Sequence, residues 1–90
     1  MSVWLILPYG LAGGKDVYEL TGATIADCLD ELEVQFPNSR SQIRDEDGQI
    51  HIGIGIFVRE RGSQAYSVGD LNTRLEDGDE IFILSWAGGG

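Results

Sequence analysis

Cysteine, proline, histidine and basic side chains are all scarce in this ninety-residue chain, and each scarcity removes a class of function. The single cysteine, Cys28, cannot close an internal disulfide, so the chain suits a reducing compartment. The single histidine, His51, has no cysteine or second histidine at ligand spacing, which argues against a metal centre. Only two prolines interrupt a chain that is 42% hydrophobic, a balance that speaks for a folded globule and against disorder. No run approaches the roughly 18 apolar residues that span a bilayer, and no basic-then-apolar leader opens the sequence. A cytoplasmic location is therefore expected. Six basic against fifteen acidic side chains leave a net charge of −9. Such a field repels phosphate backbones and anionic lipid, which sets aside nucleic acid and membrane as partners. It favours docking on a basic protein surface, although the same charge also serves plain solubility. Ninety residues make one domain, 1–90, with a modest core.

What is present begins with a short apolar run, Val3 to Leu7, halted by Pro8 and followed by a glycine-rich loop over residues 9–14. The glycine spacing fits neither dinucleotide-binding nor P-loop fingerprints, so the loop reads as a hairpin connection to a second strand over 16–21. One helix follows. Thr24 is placed as N-cap with Asp27 three residues on, and Ile25, Cys28, Leu29, Leu32 and Phe36 form a single apolar stripe ending at Pro37. Asp27, Asp30, Glu31 and Glu33 lie off that stripe and read as a solvated face, and Cys28 reads as a small core residue. Residues 38–48 are a polar connection with one short helical turn, closed by the Asp47-Gly48 turn signal.

Ile50, Ile52, Ile54, Ile56 and Val58 then alternate without a break, which predicts one long strand with a buried β-branched face and His51 facing outward. Gly53 and Gly55 on the other face suggest a bulge or a close approach. A short edge strand within 64–68, a connector over 70–75 with Leu71 and Leu75 turned inward, and the Asp77-Gly78 turn lead to a last strand. There Ile81 and Ile83 share one face, while Phe82, Leu84 and Trp86 share the other. One helix covers only one face of a sheet. The expected fold is therefore α+β, a mixed four- to five-stranded sheet with the main helix on one side. Phe57 and Phe82 then form an apolar patch on the uncovered side, unless loops close over them.

The chain closes on Ser85-Trp86-Ala87-Gly88-Gly89-Gly90, an expected extended tail over 85–90. Without Cβ atoms, its glycines can enter a slot that any side chain would block, and the last seven residues, extended, reach roughly 20 Å. The plain alternative is a disordered terminus. Trp86 either anchors the tail's base in a partner pocket or caps the core.

In order and spacing, Leu7-Pro8 with Gly13-Gly14, the Gly22 to Phe36-Pro37 helix segment, and Leu75-Glu76-Asp77-Gly78-Asp79-Glu80 leading to Ala87-Gly88-Gly89 resemble the ubiquitin-like β-grasp sulfur carriers. That family includes the small subunit of molybdopterin synthase and the carriers of thiamine and cysteine biosynthesis; the opening and the Asp45-Glu46-Asp47-Gly48 loop lean towards the cysteine type. Two departures stand out: Ser85-Trp86 replaces a proline-containing stretch and Gly90 is a third glycine, and Arg59 stands where Asn often follows Val. The resemblance implies no enzyme but a carrier, with Gly90 bearing an adenylate and then a thiocarboxylate, and Gly88 and Gly89 giving clearance. It implies partner contacts through Ala87, Trp86, Phe82 and Phe57. It also implies no stably bound cofactor or metal, since ATP and magnesium belong to an E1-like adenylyltransferase or sulfurtransferase. A sulfur-accepting synthase then takes the tail, and the resemblance also allows the chain to be the small subunit of such a sulfur-transfer enzyme complex. The competing readings are a ubiquitin-like modifier joined to targets through Gly90, and a non-catalytic β-grasp interaction module.

Overall fold

The side-chain alternation in the last strand dictates the layer structure: Ile81 and Ile83 are fully buried, whereas Phe82 is half-buried and Leu84 exposed on the opposite face. In the computed structural model, which describes residues 1–7 and 17–85, the elements run β1 (Val3–Ile6), β2 (Val17–Leu20), α1 (Ile25–Gln35), α2 (Ser39–Ile43), β3 (Ile54–Arg59), β4 (Tyr66–Ser67) and β5 (Glu80–Ser85). The glycine-rich connection expected over 9–14 and the tail residues Trp86, Ala87, Gly88, Gly89 and Gly90 lie outside the described residues. The strands form one mixed five-stranded sheet in the order β2-β1-β5-β3-β4. β5 is central, parallel to β1 on one side and antiparallel to β3 on the other. This is the mixed α+β sheet expected from the residues, in the β-grasp arrangement that the resemblance implies.

One face of the sheet contributes Val3, Leu5, Tyr18, Leu20, Ile56, Val58, Ile81 and Ile83 to the core. Against it lies α1, whose Ile25, Cys28, Leu29 and Leu32 are all buried, as the apolar stripe requires. The Thr24 hydroxyl accepts from the Asp27 N–H at 3.1 Å, one half of the expected capping box. Two further orphan donors of the first turn are satisfied from outside: the Ile25 and Ala26 N–H groups donate to the carbonyls of Thr73 (3.2 Å) and Leu71 (2.9 Å). At the other end Phe36 meets the Tyr18 ring edge-on, centroids 5.4 Å apart.

Two expectations are corrected. The isoleucine alternation does not make one long strand: β3 begins only at Ile54, and residues 52–53 form a turn in which Ile52 is fully exposed. The turn closes because the Ile54 N–H donates to the His51 carbonyl (2.9 Å) and the His51 N–H to that of Ile43 (3.0 Å). His51 therefore sits in a loop, its Nε2 2.9 Å from the Ser41 carbonyl oxygen, not on a strand face. The acids of α1 are not simply solvated either. Glu31 accepts from the Thr21 N–H at 2.8 Å, while Asp30 (3.2 Å) and Glu33 (3.6 Å) flank the buried guanidinium of Arg44. A buried cation needs such partners, and these tie α1 to the residue that follows α2.

Glycine is required at Gly22, where an added Cβ would stand 2.6 Å from the Cys28 nitrogen. Gly22→Ala is expected to destabilise the fold by about 1–3 kcal/mol through overpacking against helix backbone. Gly69→Ala, whose Cβ meets nothing within 4 Å, should change stability by less than about 0.5 kcal/mol. Urea midpoints of the two variants, compared at equal m-value, check the contrast.

Candidate functional site

Because one face of the sheet is occupied by α1, the residues alternating with the core must lie on the other. Register decides which of them meet. Phe57 and Phe82 are directly cross-strand, and Phe82 is in turn paired with Ile6, which is paired with Val17. An apolar row, Val17–Ile6–Phe82–Phe57, thus crosses four strands on the uncovered face. Its neighbouring row reads Glu19–Trp4–Glu80–Arg59. Phe57, Phe82 and Leu84, with Arg59 and residues 63–65, line an open groove of about 520 Å³. The expected patch is therefore present, and residues 63–65 border it without closing it. Leu84 is 44% exposed and lies two residues before Trp86 on the strand that leads into the tail.

Arg59 forms one wall of this groove. Its guanidinium carbon lies 5.3 Å from the Phe82 ring centroid, and its Nε donates to Glu80 at 2.6 Å. A cation held over an aromatic face and neutralised by its own carboxylate keeps its apolar side available and its position fixed. Beyond it a more polar groove of about 410 Å³ is bounded by Trp4, Arg61 and Gly78, with Trp4 38% exposed. Sequence reasoning named Phe57 and Phe82 but missed Trp4, Ile6 and Arg59. The alternation of Trp4 and Ile6 with the buried Val3 and Leu5 was the available signal.

The turn before β5 is built from the expected Asp-Gly signal. Gly78 adopts φ +89°, and its N–H donates to the Ser2 carbonyl at 2.7 Å. The Asp77 carboxylate accepts from the Ser2 N–H at 2.7 Å, and the nearly buried Asp79 carboxylate accepts from the Glu76 N–H at 2.9 Å. These bonds fix the start of β5 against β1, so the strand that carries Phe82 and Leu84 has a rigid origin.

Among the described residues no group of three or more His, Cys, Asp or Glu side chains is placed to hold a metal ion. Burial, then the charge of Glu31, pushes the Cys28 thiol up to about 11, which keeps it protonated and a poor nucleophile. At β4, partial burial and then the neighbouring Glu60 raise the Tyr66 phenol. Among the described residues no helix is long and apolar enough to cross a membrane.

Comparison of the whole fold places this architecture in a class. Small archaeal modifier protein 1 from Methanosarcina acetivorans is 29% identical, with 99% of this chain and 96% of that chain covered at a TM-score of 0.74. A chain of the Amycolatopsis orientalis BexX/CysO complex is 26% identical over 92% of this chain and 93% of that one, TM-score 0.78. Mycobacterium tuberculosis CysO is 26% identical over 92% and 97%, TM-score 0.75. Sequence comparison finds no matching family model and no matching curated protein. The chain has the ubiquitin-like β-grasp fold. The proteins it is similar to are small ubiquitin-like carriers and modifiers.

The Cys28 environment carries a pH signature. Its thiol titrates higher folded (about 11) than in the free state (9.0), so the stabilisation is complete below pH 9 and is lost as pH rises through 11. Stability should fall by roughly 2–3 kcal/mol over that window, and Cys28→Ala should remove this component of the alkaline slope. Denaturant titrations of both proteins at pH 8, 9, 10 and 11 measure the difference.

Proposed function

We propose that this chain is a sulfur carrier, a protein co-substrate rather than an enzyme, forming one β-grasp domain with residues 85–90 as its tail. The observation that carries the reading is the position of β5: the central strand, flanked on its uncovered face by the Phe57–Phe82 patch, continues directly into Trp86-Ala87-Gly88-Gly89-Gly90. Similarity to CysO and to small archaeal modifier protein 1 supports a ubiquitin-like carrier. The absence of side chains or Cβ atoms in Gly88, Gly89 and Gly90 supports passage through a narrow slot.

In this reading an E1-like adenylyltransferase docks on the patch and holds the ATP and magnesium. A Gly90 carboxylate oxygen attacks the α-phosphorus, the bond to pyrophosphate breaks, and a mixed acyl-phosphate anhydride forms. A hydrosulfide-equivalent nucleophile then adds at the acyl carbon and expels AMP, leaving a C-terminal thiocarboxylate. A sulfur-accepting synthase binds the same tail and takes the sulfur for the biosynthesis of a cofactor or of cysteine. No side chain of this chain enters the chemistry. Phe57 and Phe82, with Trp86 and Ala87 at the base of the tail, supply recognition; Gly88 and Gly89 supply clearance.

Incubation with an activating enzyme, ATP-magnesium and sulfide should replace one oxygen by sulfur at Gly90, read by intact-protein mass spectrometry with thiol-selective labelling. Loss of ATP or deletion of Gly89 and Gly90 should abolish the exchange; an exchange that survives either change refutes the reading. Chains linked through Gly90 to a lysine amine, with no thiocarboxylate, would instead make it a modifier.

Docking is tested separately. Leu84→Ser and Phe82→Ala should each raise the KM for adenylation about tenfold, the size of one apolar anchor lost. Val34→Ser, on the exposed side of α1, should leave it unchanged. Equal KM values across the three variants would remove the patch from the interface.

A further inference from the structure

Ile52 is the most exposed large apolar side chain among the described residues, at 102% of its reference surface. Scattered exposed apolar residues are ordinary, so exposure alone assigns nothing. Its mounting and its place in the register do more. The first residue of β3, Ile54, is paired with Ser85, the last residue of β5. The turn that holds Ile52 therefore stands at the end of the sheet where the chain passes from Ser85 to Trp86.

That turn is anchored on both sides. Before it, the His51 N–H donates to the Ile43 carbonyl, and His51 Nε2 lies 2.9 Å from the Ser41 carbonyl oxygen. After it, the Ile54 N–H closes on the His51 carbonyl at 2.9 Å. Ile52 is thus an apolar prong on a hydrogen-bonded base, and presenting it to a partner costs little ordering.

The surroundings select the partner's chemistry. His51, Asp45 and Glu46 border one groove of about 380 Å³ together with Arg40 and Arg44, whose guanidiniums are already paired with Glu33 and, for Arg44, also with Asp30; the 44–50 segment is closed by the Arg44↔Ile50 bridge and the Asp45 N–H to Gln49 carbonyl bond at 2.7 Å. Glu46 and Asp47 are exposed at its tip. An apolar prong beside an acidic turn is complementary to an apolar socket with a cationic rim.

We propose that Ile52 is a second docking anchor, seated in an apolar, lysine- or arginine-rimmed socket of the activating enzyme beside the slot that takes the tail. This rests on the carrier reading and adds a residue to it at the end of the sheet where β5 finishes, distinct from the Phe57–Phe82 face. Ile52, just before β3, and the Phe57–Phe82 patch on β3 and β5 would give the enzyme two separate contacts on the body.

The test is steady-state adenylation, followed by ATP–pyrophosphate exchange, with an E1-like enzyme and the whole chain as substrate. Ile52→Asp should raise KM about tenfold or more with kcat within about twofold, Ile52→Leu should keep the wild-type KM, and Glu46→Lys should raise KM most at low salt. Because Ile52 and Glu46 are both exposed, the urea midpoints of all three variants should match the wild type, which separates docking from folding. If the wild-type chain is adenylated and Ile52→Asp has the same KM, the anchor is refuted and the carrier reading stands. If the wild-type chain is never adenylated while folded, the carrier reading fails and takes the anchor with it.

Discussion

The parallel pairing of β1 with β5 is the constraint on which the rest of the molecule depends. Parallel neighbours cannot be joined by a tight turn, so everything between them is in effect one long crossover. The crossover has to carry a helix across one face, and α1 with its stripe of Ile25, Cys28, Leu29 and Leu32 does so. It also has to return the chain to the middle of the sheet, between β1 and β3. The Asp77-Gly78 turn secures that return, stitched to Ser2 on both its N–H and its carbonyl. A central strand loses no edge to solvent, and its inward Ile81 and Ile83 are fully buried. The last described strand is therefore well fixed, and residues 86–90 continue from it.

The two faces of the sheet divide the work. The covered face is dry and supplies stability, and even its thiol is held protonated by burial. The uncovered face carries the Val17–Ile6–Phe82–Phe57 row, with Arg59 stacked on Phe82 and neutralised by Glu80. Such a surface is suited to protein contact: aromatic and aliphatic at the centre, charged at the rim. A chain of net charge −9 adds a long-range pull towards basic partners. For a carrier, this is sufficient. Under the proposed carrier reading, the chain itself would need to supply only a carboxylate at the tail and a body that can be recognised.

The acids of α1 illustrate how charge was turned to structure. Glu31 is bonded to Thr21, and Asp30 and Glu33 flank Arg44, whose guanidinium also donates to the Ala26 carbonyl at 3.3 Å. Arg44 is nearly buried, and such a cation is tolerable only with these partners around it. The consequence is that α1, the end of α2 and the segment leading to Ile52 are held as one body, so the apolar prong and the sheet keep a fixed relation.

Local physics was readable from the residues alone. The 3.6-residue stripe, the Thr24 cap, the Asp77-Gly78 turn and the inward pair Ile81 and Ile83 each follow from backbone geometry within a few positions. From these came the α+β class, the helix limits, and the expectation that Phe57 and Phe82 share the outer face. What required the tertiary structure was everything set by a partner far along the chain. Ile52 and Ile56 stand in the same alternation, yet one is fully exposed and the other buried. The difference is that Ile56 has Ile83 beside it in the sheet, while residues 52–53 form a turn closed by the Ile54 N–H donating to the His51 carbonyl. Arg44 lies in the stretch read as a polar connection and is a buried hub, because α1 brings two carboxylates to it across the fold. Periodicity records which side of an element is apolar; only the folded chain decides what stands opposite.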